Sequence, residues 1–284
     1  MQYESKKEAG RHFWRDKTQV LQSCFGFTKM PSRTTLPVIE TPLRNGEAGR
    51  LCVQRLVPHL SPRCADLFCC AGGAGMGIHR AGFDVEGWDV KQNLSYPFKR
   101  HIGDALEADL SGFDFVWASP PCQAHSALRH CRREKKQYEC FIARTREKLK
   151  AWGGLYIIEN VPGAPLENPV MLCGSSFGLR VRRHRIFESN VKLSVLPCDH
   201  KTQGQPMDVS GTGGQRVNRR KDDHGGACCK PRNIQEAQAA IGIDWMCRKE
   251  IAQAIPPAFA EYLARQIMRV LKVGNDALTK PHEK

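Results

Sequence analysis

No run of about eighteen or more apolar residues occurs in the chain, which removes a membrane-spanning helix from consideration. The first residues, MQYESKKEAGRHFWRDKTQV, hold no apolar core of the kind a secretory leader carries. The expected setting is therefore the reducing cytoplasm. There the thirteen cysteines are free thiols open to catalysis or metal binding, not a disulfide framework. Two nucleotide signatures are also missing. Neither G-x-G-x-x-G nor G-x-x-x-x-G-K-[ST] is found, so nicotinamide and nucleoside-triphosphate cofactors lose support. Internal repeats and low-complexity tracts are absent.

What is present is a 284-residue chain that is 41% hydrophobic, enough for a substantial core, with a formal net charge of +14. That charge suits a polyanionic partner. Residues 1–63 show no sustained period and are broken by Pro31, Pro37, Pro42, Pro58 and Pro62. They read as a loosely ordered basic N-terminal extension. From Cys64 the pattern becomes strand–helix alternation. CADLFCC, FDVEGWDV, HIGDA, FDFVWASPPC and GGLYIIENVPG read as strands, and GIHRAG as a helix closed by Gly82. A further helix-compatible stretch runs from Cys131 to Trp152. The alternation predicts an α/β fold with a mostly parallel sheet and helices on both faces, in which ligands sit at the carboxyl ends of strands. After RRHRIFES regularity is lost from about Asn190 to Pro231, and helical signals return in IQEAQAAIG and from Pro256 to Val273.

Two groups of residues carry the candidate chemistry. The loop Cys69-Cys70-Ala71-Gly72-Gly73-Ala74-Gly75-Met76-Gly77 links a strand to a helix, and the helix N-terminus offers free N–H groups to an anion such as a methionine-type carboxylate. Asp89 ends the second strand, where it can accept two ribose hydroxyls. A helix N-cap is the plainer reading of it. Cys122 follows Pro120 and Pro121 at the end of the fourth strand. A cysteine there is commonly a small core hydrophobe, but two prolines would stiffen the loop and present the thiol. Glu159 ends the apolar run LYII, where a carboxylate is costly unless it is paired or does chemistry. Arg182, Arg183 and Arg185 can balance it or form a solvated basic face.

Taken in order, DLFCCAGGAGMGIHRAGF, SPPCQ, ENV, RRHRIF and AIPP resemble the ordered motifs of the cytosine-C5 DNA methyltransferases. The wording CCAGGAGMG with ENVPGAPLENPVMLCGSSFGL is most similar to compact members encoded by bacteriophages. The resemblance spans Cys64 to Val273. It implies a Rossmann-like S-adenosylmethionine-dependent methyltransferase fold with a small inserted target-recognition segment. The implied organisation is a catalytic and cofactor-binding domain over 64–188, a target-recognition segment over 189–231, and C-terminal helices over 232–284 completing the catalytic domain. Phe68, Gly72 and Gly73 would contact S-adenosylmethionine, with Pro120 beside it, Asp89 on its ribose and Asp104 on its adenine amino group. Cys122 would be the nucleophile, Glu159 would hold the cytosine N3 and N4 edge, and Arg185 with Arg183 would act near the nucleophile and O2. Cys70 stands where a glycine is usual, Val181 where a glutamine is usual, and Ala252-Gln253 where Gly-Asn is usual.

The implied activity is transfer of a methyl group from S-adenosylmethionine to C5 of cytosine in DNA, with double-stranded DNA as partner, no membrane, and a monomer. A tRNA cytosine-C5 methyltransferase and a binding relative that has lost catalysis are the alternatives. Arg216, Arg219, Arg220 and Lys221 in the 189–231 segment suit guanine contacts. Cys198, His200, His224, Cys228 and Cys229 fall in the same segment, but their spacing matches no standard zinc pattern and no metal is expected.

Overall fold

A computed structural model describes residues 61–126, 137–210 and 229–279. One seven-stranded sheet organises them, in the spatial order β3-β2-β1-β4-β5-β7-β6. The chain runs through β1 (Arg63–Leu67), α1 (Gly73–Arg80), β2 (Asp84–Asp89), β3 (Lys99–Ile102), a short 3-10 turn (Ala105–Glu107) and β4 (Phe115–Ala118). It continues through α2 (Ile142–Trp152), β5 (Leu155–Asn160), β6 (Val170–Cys173), a second 3-10 turn (Gly174–Phe177) and β7 (His184–Ser189), and closes with α3 (Ile234–Ile241), α4 (Arg248–Ile251) and α5 (Pro257–Thr279). β1 pairs in parallel with β2 and β4, β2 with β3, and β4 with β5, whereas β7 is antiparallel to both β5 and β6. The fold is Rossmann-like, as the alternation of apolar runs and helical stretches predicts.

The strand sequences explain their places. In β4 every residue of FVWA is buried, as a central strand covered on both faces requires. Alternate residues then serve two cores. Cys64, Phe115, Trp117, Ile157 and Phe187 pack with Ile78 of α1 and with Phe259, Leu263 and Ile267 of α5. Ala65, Leu67, Val116, Ala118, Tyr156 and Ile158 pack with Leu149 of α2 on the other face. Helix ends follow familiar chemistry. The Asn233 side chain accepts from the Glu236 N–H to start α3, and left-handed glycines Gly153 and Gly242 stop α2 and α3. Among the described residues no helix is long and apolar enough to cross a membrane.

α5 lies directly on α1, and Gly77 makes that approach possible. A Cβ at Gly77 would sit 2.1 Å from the Pro257 carbonyl oxygen and 2.7 Å from the Glu261 nitrogen. Both are backbone atoms and cannot swing away. Gly77→Ala is expected to cost about 3 kcal/mol or more of folding stability, at the upper end of overpacking effects. Thermal or urea unfolding checks this, and an unchanged midpoint would show that α5 moves off without penalty.

Candidate functional site

The candidate cofactor-binding and catalytic residues named above lie at one edge of the sheet. The loop after β1, Asp89, Asp104, the Pro120–Cys122 turn and Glu159 each follow or end a strand of the parallel set. Arg183 and Arg185 reach the same edge because β7 runs antiparallel. Its pairing of Asn160 with Ile186 leaves Arg185 at the carboxyl end of β5.

On the cofactor side, the Asp89 carboxylate accepts from the backbone N–H of Cys70 and of Lys91, each at 3.0 Å. These two bonds leave lone pairs for further hydroxyl donors. Asp89 thus clamps the glycine loop to β2 and caps no helix. Asp104 does cap one, accepting from the Leu106 N–H at 2.9 Å, and its second oxygen makes no part of that bond. Val90 and Ile102, beside these acids, are 63% and 62% exposed, an apolar pair able to take the face of a ring. Gly72 and Gly73, which the resemblance places against S-adenosylmethionine, also make room for the chain itself. A Cβ at Gly72 would lie 2.7 Å from Pro97, and one at Gly73 would lie 2.4 Å from the Ile255 carbonyl oxygen. The C-terminal AIPP stretch therefore closes against the loop, and Trp245 adds an Nε1–H bond to the Ala71 carbonyl at 2.9 Å.

Phe68 and Cys70 both hold positive φ, 60° and 45°. Such backbone costs on the order of 1–3 kcal/mol in a non-glycine residue and clusters at functional sites. Glycine at position 70 would relieve it while losing roughly 0.5–1 kcal/mol to unfolded-chain entropy. Cys70→Gly is therefore expected to stabilise the fold by about 1 kcal/mol, read as a higher melting midpoint. A lowered midpoint would show that the cysteine side chain contributes more than the strain costs.

Beneath this loop Asp66 is buried, with its Oδ2 accepting from the Tyr96 hydroxyl at 3.4 Å and its Oδ1 lacking a hydrogen-bond partner. Burial pushes its carboxyl up to about 8, against the pull of the Tyr96 bond. The native state thus keeps a proton that the unfolded chain has already lost, so this group's contribution to stability falls as pH rises from about 4 through 8. Asp66→Asn is expected to flatten the melting midpoint between about pH 5 and 7.5 relative to the parent protein. Equal slopes in the two proteins would contradict this.

On the candidate catalytic side, β4 is followed by Ser119-Pro120-Pro121-Cys122. Ser119 is held by its N–H to the Leu67 carbonyl and by the Trp117 indole N–H on its hydroxyl. The turn after Cys122 closes with the His125 and Ser126 N–H groups on the Cys122 carbonyl at 3.0 and 2.9 Å. Asn160 ties this turn to β5. Its Nδ2 donates to the Pro120 carbonyl at 3.0 Å, and its Oδ1 accepts from the Val161 N–H. Pro120 and Asn160 are both buried, so the Cys122 turn and the Glu159 strand end are locked together. Asn160 is a site residue that the motifs alone do not single out, and an amide directly after a strand-ending carboxylate is its one signal in the sequence.

Glu159 is buried and forms an ion pair with Arg185, Nε to Oε1 at 3.0 Å. Burial nonetheless holds its carboxyl above the usual range, with the Arg185 charge and the Ser119 hydroxyl pulling it down. Burial also raises the Cys122 thiol above its ordinary value, opposed mainly by Arg185. Cys122, Glu159 and Arg185 are thus one electrostatic group. Arg183 stands apart from it in its bonding. Its guanidinium donates to the backbone carbonyls of Ile251, Ala252 and Ala254, and burial beside Arg185 lowers its pKa to about 9. Its hydrogen bonds fasten the C-terminal segment, which is a positioning role, and leave Arg185 as the arginine directly on Glu159.

The 189–231 segment is described only in part. Met207 and Val209 bury against Ala237, Ala240 and Ile241 of α3. The Cys229 N–H donates to the Pro206 carbonyl, the Asp208 N–H to the Cys229 carbonyl, and Lys230 pairs with Asp208 at 2.6 Å. Both ends of the 211–228 stretch are therefore fixed side by side. Arg216, Arg219, Arg220, Lys221, His224 and Cys228 lie outside the described residues, as do residues 1–60 of the N-terminal extension.

No family model matches the chain, and no curated protein matches it. Among solved structures it is similar to a prophage-encoded E. coli protein named for DNA-modification methyltransferase activity, with 16% identity, 75% of this chain and 100% of that chain covered, and a TM-score of 0.49. It is similar also to the S. pombe Dnmt2 methyltransferase, at 11% identity, 74% and 99% coverage and a TM-score of 0.46. A methyltransferase of Entamoeba histolytica aligns at 11% identity, 74% and 99% coverage and a TM-score of 0.47. At these values the functional reading rests on the site's own geometry.

Proposed function

We propose that this chain transfers a methyl group from S-adenosylmethionine to C5 of cytosine in DNA. The observation that carries the reading is the joining of Cys122, Glu159 and Arg185 in one electrostatic group, at the sheet edge where Asp89 clamps the glycine loop. S-adenosylmethionine would supply an electrophilic methyl on sulfur. The residues present fit it. The start of α1 offers N–H groups to its carboxylate, Asp89 keeps lone pairs for ribose hydroxyls, and Val90 and Ile102 offer apolar surface to its base.

Cytosine C5 is a weak nucleophile, and the chain's own groups would change that. The Cys122 thiolate adds to C6, forming an S–C bond and moving the ring π electrons toward N3 and C5. Glu159, held toward its protonated form by burial, donates to N3 and stabilises the developing charge. Arg185 stabilises the thiolate before attack and fixes the Glu159 carboxyl. Once C5 carries the methyl group, loss of its proton to a base and expulsion of Cys122 restore the aromatic ring. A stacked base cannot reach a thiol in this setting, so a duplex substrate has to present the cytosine extrahelically. The +14 charge supplies backbone attraction, and the 189–231 segment, with its arginines, is the natural reader of neighbouring bases.

The test is to incubate the full chain with methyl-labelled S-adenosylmethionine and, in parallel, duplex DNA or tRNA, then digest to nucleosides. The expected result is label in 5-methyldeoxycytidine. Label in tRNA alone would move the substrate to RNA, and cofactor binding with no transfer to either would make the chain a binding relative.

A further inference from the structure

Away from the catalytic group, four metal-capable side chains converge. Cys173 ends β6 and His184 begins β7, and the antiparallel register sets them directly opposite each other. Cys198 and His200 arrive from the loop that follows β7. The Cys173 Sγ lies 3.2 Å from the His200 Nε2, and the Cys198 Sγ lies 3.5 Å from the His184 Nε2. One ligand atom from each of the four falls within 4.8 Å of all the others.

We propose that Cys173, His184, Cys198 and His200 form a tetrahedral site for a structural zinc ion. Zinc binds thiolate sulfur at about 2.3 Å and imidazole nitrogen at about 2.0–2.1 Å, which puts tetrahedral ligand atoms roughly 3.3–3.8 Å apart. The observed sulfur–nitrogen separations of 3.2 and 3.5 Å are close to that spacing, so small side-chain adjustments complete it. Two thiolates and two neutral imidazoles form a closed four-ligand set that balances the charge of the ion, with no open position for substrate. Binding would release the thiol protons.

The surroundings support the ligands as a structural site requires. The Ser175 hydroxyl donates to the Cys173 Sγ at 3.1 Å and accepts from the Asp199 N–H at 3.0 Å, so one side chain orients ligands from both sides of the cluster. Arg182 donates to the His200 carbonyl at 3.1 Å, and the Ser176 hydroxyl donates to the Pro197 carbonyl at 2.7 Å. The ion would therefore pin the start of the 189–231 segment to the β6–β7 hairpin. Strand alternation turns His184 and Arg185 to opposite faces of β7, so the site braces the strand that carries Arg185 without touching the reacting groups. No such pattern shows in the spacing of residues 189–231, because two of the ligands come from a hairpin outside that segment. Cys229, which does belong to it, instead lies against Pro206, with its Sγ 3.4 Å from that residue's carbonyl.

Metal analysis of the full chain, purified without chelator, tests the proposal. About one zinc per chain is expected, falling below about a fifth of that in Cys198→Ser and in His200→Ala but retained in Cys247→Ser. Cobalt(II) added to the metal-stripped parent protein is expected to give the intense visible bands of a tetrahedral thiolate site, a readout independent of how well any variant folds. Zinc retained in both ligand variants would overturn the assignment. So would the absence of cobalt bands in the parent, or a Cys173–Cys198 disulfide in peptide mapping of freshly purified protein.

Discussion

Cys122→Ala is expected to lower methyl transfer to DNA on the order of 10⁴-fold or more, the scale seen when a covalent catalyst loses its nucleophile. S-adenosylmethionine binding is expected to stay within a few-fold of the parent, because Asp89 and the glycine loop reach the cofactor side without Cys122. Cys140→Ala serves as the control. Its thiol contacts His125 at 3.1 Å and is not part of the Glu159–Arg185 ion pair. The raised thiol pKa adds a second signature. Below that value the thiolate fraction grows about tenfold per pH unit, so kcat/KM in the parent is expected to climb steeply between about pH 7 and 8.5. Near-normal transfer by Cys122→Ala would sink the nucleophile assignment, and a flat pH profile would mean that some step other than thiolate attack limits the rate.

Glu159→Gln is expected to cost about 10²–10³ in kcat, the range for losing one charge-stabilising partner in a dry site. Glutamine keeps the volume, a carbonyl for Arg185 and an N–H that can reach N3, but it has no acidic proton to transfer there. The effect should fall on kcat with cofactor affinity unchanged, since Glu159 bonds to Arg185 and Ser119 and not to the glycine loop. The variant must be shown to fold, because removing the carboxylate leaves the Arg185 guanidinium buried without its ion pair. Turnover near the parent value in a folded variant would make Glu159 a purely structural partner of Arg185.

The centre of the sheet was legible because its strands contain short apolar runs, with FVWA stopped before Pro120 and LYII stopped by Glu159. FVWA, LYII and CADL leave little alternative to a buried parallel sheet, and the acids and the thiol that follow such runs necessarily sit at one edge. Contacts made through backbone were not legible. Arg183 looks like a partner of Arg185 in RRHRIF, yet it donates to the carbonyls of residues 251, 252 and 254, which carry no side-chain signal. Gly73 and Gly77 are in the same position, since what excludes a side chain there is the Ile255 and Pro257 carbonyls of a distant segment. The Cys173–His184 pair was hidden for a third reason. Cross-strand register brings the two together, and local spacing does not encode register across a hairpin of this length.

If Cys122 bonds covalently to cytosine C6, a mechanism-based trap captures the adduct. Duplex DNA carrying 5-fluorocytosine blocks the final proton loss, because C5 bears fluorine in place of hydrogen. With S-adenosylmethionine present, the expected product is a denaturant-resistant protein–DNA complex whose peptide map places the nucleotide on Cys122. An adduct on any other cysteine, or no adduct from protein that methylates ordinary cytosine, would contradict it.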